Sequence, residues 1–97
     1  MELVPAPIAL LAEAIEQQPE APVNYLYRAE QWIVRGYVDE AQADFLAAQA
    51  LSAEALAASA WGYLDQYYMD WAEDGLQRCR RQSTAVERVS PTLSSDR

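Results

Sequence analysis

Between residues 7 and 82, apolar side chains return every three or four positions, and only short turns separate one run from the next. That period is the signature of helices with one face turned to a core. Ile8, Leu11, Ala12 and Ile15 mark the first run, over about residues 7–18. Pro5 and Pro7 stand at its entrance, where a missing N–H costs little, and Pro19 ends it in the turn "PEAP". The second run covers about 22–35, with Tyr25, Ala29, Trp32 and Ile33 in one stripe that Leu26 and Val34 widen. Gly36 supplies the left-handed exit many helices take. The third run, about 38–51, carries Ala41, Phe45, Ala48 and Leu51 on one side. Ser52 is expected to cap a fourth helix over 53–69. Asp70, with Glu73 three residues on, is expected to cap a fifth over 71–82.

The composition agrees with an all-α fold. Glycines number only 3, Ala is abundant, and clusters of β-branched residues are nearly absent, so a sheet has little to build from. At 97 residues the chain fits one small domain. After Gln82 the period is lost, and the Ser-, Thr- and charge-rich segment 83–97 reads as a flexible C-terminal tail.

Charge narrows the function classes. Residues 1–77 hold 13 acidic and 2 basic side chains, and 78–97 hold 5 Arg against 2 acids, which together give the net −8. An acidic body argues against nucleic-acid or anionic-membrane partners, which need cations to meet phosphates. No apolar run reaches the ~18 residues that span a bilayer. The N-terminal stretch lacks a basic segment, and the one cysteine, Cys79, has no internal disulfide partner. A cytoplasmic location is expected. The chain has no His, no Gly-rich phosphate loop and no partner for a Cys79 nucleophile, so no enzyme, cofactor or metal site is expected. The carboxylate pairs Asp39–Glu40 and Glu73–Asp74 read as helix starts, where anions complement the dipole. "RCRR" at 78–81 reads as the cationic end of the last helix.

A shift of 34 residues superposes parts of the chain. Leu11 falls on Phe45 and then Cys79, Ala14 on Ala48, Tyr37 on Trp71, Asp39 on Glu73 and Ala41 on Gly75. Residues 22–55 read Tyr25-x2-Arg28-Ala29-x2-Trp32, then Ala41-x3-Phe45, Ala48 and Ala53. That segment resembles a tetratricopeptide repeat, most closely in "GYVDEAQADF". It departs from the family at Arg28, where an apolar residue is usual, and at Ala53, where a helix-breaking Pro is usual. The copy at 56–82 is weaker, and 7–19 reads as the second helix of a truncated unit. The expected architecture is about five antiparallel helices in a short tetratricopeptide-like hairpin array over residues 1–82. Another all-α bundle is the competing architecture.

The resemblance implies a protein-binding module, an adaptor or chaperone-type scaffold, whose first helices line a concave groove for a peptide or a partner's helix. The 34-residue phase puts Val23, Leu26, Tyr27, Glu30, Ile33 and Val34 on that groove. From the next helix it adds Ala57, Ala60, Trp61, Leu64, Tyr67 and Tyr68. The expected binding set is Val23, Leu26, Tyr27, Glu30, Val34, Trp61, Leu64 and Tyr68. Within "WGYLDQYYMDW", Trp61, Leu64 and Tyr68 share a face at i, i+3 and i+7, while Tyr63 and Trp71 are assigned to packing. Whether that stripe meets a partner, a second copy or its own fold stays open. The Lys, Asn and Arg with which the family's carboxylate-clamp adaptors hold acidic tails are missing here. About three stacked repeats are usually needed for stability, so the exposed end of a shorter array is expected to self-associate into a homo-oligomer. The alternative function is an acidic regulator, or nucleic-acid mimic, that occupies a basic site on another protein.

Overall fold

The computed structural model describes residues 5–58 and 62–94, with 84–94 as backbone alone. Within them the chain is all-helical: α1 (Ala6–Gln17), α2 (Pro22–Val34), α3 (Val38–Ala58) and α4 (Tyr63–Ser94). The expected count of about five helices falls to four.

The first two turns form as their residues dictate. A Pro occupies the first turn of both α1 and α2, where its fixed φ suits a helix and its absent N–H is not missed. Between these helices the Tyr25 hydroxyl donates to the Pro19 carbonyl at 3.1 Å and ties the turn to α2. At the other end of α2, Gly36 takes φ 86°. The Gly36 N–H donates to the Ile33 carbonyl, and the Tyr37 N–H to that of Trp32, at 3.1 and 3.0 Å. This is the Schellman arrangement, and the Trp32 and Tyr37 rings supply its apolar contact, edge to face at 5.5 Å. Only a residue at ease with positive φ closes this turn without strain.

The next two junctions differ from expectation. Ser52 does not cap a new helix; it lies inside α3, fully buried, and its Oγ has no hydrogen-bond partner among the described residues. Ala, Leu and Glu flank it, and no Gly or Pro stops the helix until after Ala58. The missing breaker is at Ala53, the position that departs from the repeat pattern. Asp70 is likewise inside α4, where its carboxylate accepts from Gln66 Nε2 at 3.0 Å one turn earlier. The expected fourth helix is therefore divided: residues 53–58 extend α3, and the part from Tyr63 onward joins the expected fifth in α4. Its backbone continues past Gln82, where the apolar period ends, to Ser94.

α2, α3 and α4 enclose the core, and α1 packs on α2. Leu26, Ala29 and Ile33 come from α2, Ala41, Phe45 and Ala48 from α3, and Ala72, Leu76 and Cys79 from α4. Phe45 is the largest fully buried side chain, and it lies across Gly75, where a Cβ would run into its ring. Glycine in mid-helix costs about 1 kcal/mol relative to Ala. Here it lets α4 approach α3 closely enough to cover Phe45. Ile8 is the one buried residue of α1, so that helix is held by far less apolar area than the other three.

Candidate interaction surface

The step of 100° per residue gives α2 two working sides. Leu26, Ala29 and Ile33 face the core, while Tyr27, Glu30 and Val34 face along α4. On α4, Tyr67, Trp71 and Arg78 lie at i, i+4 and i+11, on the side toward α2. Between the two helices runs a half-exposed seam.

Its aromatic end is a row of rings. Tyr27 and Trp71 meet edge to face, with centroids 5.3 Å apart at 86°. Tyr67 lies 6.0 Å from Trp71 on one side and 6.0 Å from Tyr68 on the other. Tyr27 is 51% exposed, Tyr67 59% and Leu64 60%. Trp71 and Tyr68 are half-buried against the core and anchor the row.

The middle is polar and closed. The Glu30 carboxylate accepts three hydrogen bonds: from Trp71 Nε1 at 2.7 Å, and from Arg78 Nη1 and Nη2 at 2.9 and 2.6 Å. Arg78 Nε also donates to Asp74 at 2.9 Å, and the guanidinium lies 5.7 Å from the centre of the Phe45 ring. These hydrogen bonds from Arg78, with a further one from Trp71, hold the Glu30 carboxyl below its ordinary range despite partial burial. Glu30 in turn holds the Arg78 guanidinium charged, well above its ordinary range. Glu30 thus fixes the Trp71 ring and, through it, the row against which Tyr27 and Tyr67 lean. Beyond Arg78 the seam ends in a shallow hollow of about 600 Å³ lined by Ile33, Val34, Arg78, Arg81 and Gln82.

Of the residues expected to bind a partner, Tyr27, Glu30 and Val34 lie on this seam, and Leu64 is exposed on the first turn of α4. Val23 is half-buried at the start of α2. Leu26 is fully buried in the core and leaves the set; the repeat phase placed it one step too far round the helix. Trp61 lies outside the described residues. Tyr63, assigned to packing, is 79% exposed, because the hairpin mate it was to pack against is the continuation of its own helix.

Two ion pairs between helices, Arg78–Glu30 and Arg28–Asp44, escaped the sequence reading. Arg78, Arg80 and Arg81 do not end a helix; they sit mid-way along α4, as do Glu73 and Asp74, which were read as a helix start. On the other side of α2, Arg28 forks onto Asp44, with Nε and Nη2 donating to its two oxygens at 2.8 and 2.9 Å. The Asp44 side chain is only 7% exposed, and its hydrogen bonds push the Arg28 guanidinium above its ordinary range. The signal was Arg28 itself: a cation at an apolar position of the repeat pattern needs a buried anion opposite. Burial pushes the Cys79 thiol up, away from its reactive thiolate form. Among the described residues, no group of three or more metal-ligating side chains could hold an ion, and no helix is long and apolar enough to cross a membrane.

No known protein family matches the chain, and no curated protein or solved structure shows significant similarity to it.

Proposed function

We propose that the chain is a protein-binding module that takes a partner's amphipathic helix or peptide along the α2–α4 seam. The observation that carries this reading is the exposed row of Tyr27, Tyr67 and Leu64 beside the anchored Trp71. Tyr and Trp on a fixed base present large contact area at low entropic cost, and such residues dominate the energetics of interfaces. Asp70 and Asp74 border the row on α4, and Asp74 also accepts from Arg78. The partner that fits has an apolar or aromatic face flanked by Lys or Arg.

The α2–α3 hairpin is best read as a single tetratricopeptide-like unit in an adaptor. Burial of Ala29, Ala41 and Phe45, which carry the resemblance, supports that reading. The continuous α4 takes the place of a second hairpin and supplies one wall of the groove. The test is a panel of amphipathic helical peptides, with and without flanking Lys, titrated against the full chain by tryptophan fluorescence. Micromolar binding by cationic members is expected, with at least a tenfold loss in Tyr67→Ala at unchanged helicity. Binding that Tyr27→Ala and Tyr67→Ala both leave intact would overturn the assignment of the surface.

A further inference from the structure

The outward face of α4 carries a charge pattern that is complementary to itself. Gln77 lies near the middle of Tyr63–Ser94. Glu73 and Asp74 stand four and three residues before it, and Arg80 and Arg81 stand three and four after it; all five are exposed. At 3.6 residues per turn they fall within about 60° of one line along the helix. That line lies about 100–160° round the helix from the buried Leu76, Ala72 and Cys79.

We propose that α4 pairs with α4 of a second copy, antiparallel, about a two-fold axis at Gln77. A two-fold across an antiparallel helix pair brings each flank of one helix against the same flank of the other, with its direction reversed. Glu73 and Arg80 share one flank; Asp74 and Arg81 share the other. Glu73 lies about 6 Å before the axis, and Arg80 of the second copy about 4.5 Å on that same side, so the two are opposite. Asp74, which also accepts from Arg78 of its own helix, faces the second copy's Arg81 in the same way, and the symmetry repeats both pairs.

Three observations select a second copy as the occupant. Glu73, Arg80 and Arg81 make no ion pair among the described residues. Within one helix Glu73 and Arg80 are two turns, about 10 Å, apart and cannot pair with each other. The chain's net charge of −8 makes two copies repel in a general orientation. Antiparallel α4 helices are the arrangement that brings the arginine-rich half of one copy against the acidic half of the other; a parallel pair would set Glu73 against Glu73. Finally, α4 is about 48 Å long and nearly centred on Gln77, so the two helices overlap over most of their length. This face shares one flank with the seam, since Asp74 accepts from Arg78 and Arg81 lines the hollow at the seam's end, while Tyr27 and Trp71 lie beyond that flank, toward α2.

Exposed pairs of this kind are screened by salt. In sedimentation equilibrium at about 1 mM, the full chain should be partly dimeric at ~20 mM salt and monomeric near ~0.5 M. Glu73→Arg and Arg80→Glu are the informative variants, because neither residue has an ion-pair partner among the described residues. Each variant alone should be monomeric at low salt, since its facing positions then carry one sign. An equimolar mixture of the two variants should recover the dimer, because opposite charges then face each other again across the axis. Tyr27→Ala should leave the dimer unchanged while weakening peptide binding. A wild-type monomer at low salt, a dimer that either variant leaves intact, or a mixture that fails to recover it would overturn the antiparallel pairing.

Discussion

α2 meets its two neighbours on different terms. Toward α3 it presents Leu26, Ala29 and Ile33 to Ala41, Phe45 and Ala48, all buried, and one arginine forks onto an almost fully buried aspartate. Toward α4 it presents Tyr27, Glu30 and Val34, and the contact there is made of ring edges and a half-exposed carboxylate–guanidinium pair. Ala29 and Glu30 are adjacent in sequence and belong to opposite kinds of surface. The closed seam fixes where α2 lies. The open seam is held in shape by directional contacts and leaves the apolar area of Tyr27, Leu64 and Tyr67 exposed.

Substitutions should separate the two seams by size of effect. Phe45→Ala, at the centre of the closed side, should cost about 3–5 kcal/mol, because it removes a fully buried ring and leaves a cavity between α3 and Gly75. Urea denaturation should show most of the stability of so small a domain gone. Asp44→Ala comes next, at about 2–3 kcal/mol, since it leaves the Arg28 guanidinium without its buried acceptor. On the open side Glu30→Gln should cost about 1 kcal/mol near neutral pH, the scale of a partly exposed pair.

That last variant also carries a pH signature. The folded Glu30 has a lowered pKa, so its contribution to stability is fully present above the unfolded value of about 4.3. It is lost as pH falls through the folded value. Wild type should therefore lose stability more steeply than Glu30→Gln as pH falls below about 4.3. Equal slopes would mean the pair is not formed. Tyr27→Ala should have the smallest effect on stability, about 0.5 kcal/mol from one edge-to-face contact of a half-exposed ring, with a larger effect on peptide affinity.

The same contrast marks what the sequence could disclose. The turn at Gly36 was legible because it needs a rare backbone conformation, and glycine is the residue that supplies it. The junctions expected at Ser52 and Asp70 were not turns. Ser and Asp favour a helix start only where the chain already breaks, and around both residues strong helix formers run through. The absence of a Pro at 53 carried more information than the presence of a Ser at 52. Core positions such as Phe45, Ala41 and Cys79 were readable from period and repeat phase. The seam was readable only in part, because Glu30 and Arg78 are 48 residues apart and their pairing depends on α4 being continuous. Once a fourth and a fifth helix were assumed, Arg78 looked like a helix end and Trp71 like the opening of a new helix.

The central claim is that the aromatic end of the α2–α4 seam binds a partner helix. The most direct measurement is a ¹H–¹⁵N correlation spectrum of the full chain titrated with the tightest cationic peptide of the panel. The account predicts that the Trp71 indole N–H, with the amides of Tyr27, Leu64 and Tyr67, shifts most. Shifts concentrated on α1 or on the outer face of α3, with the Trp71 indole unmoved, would contradict it.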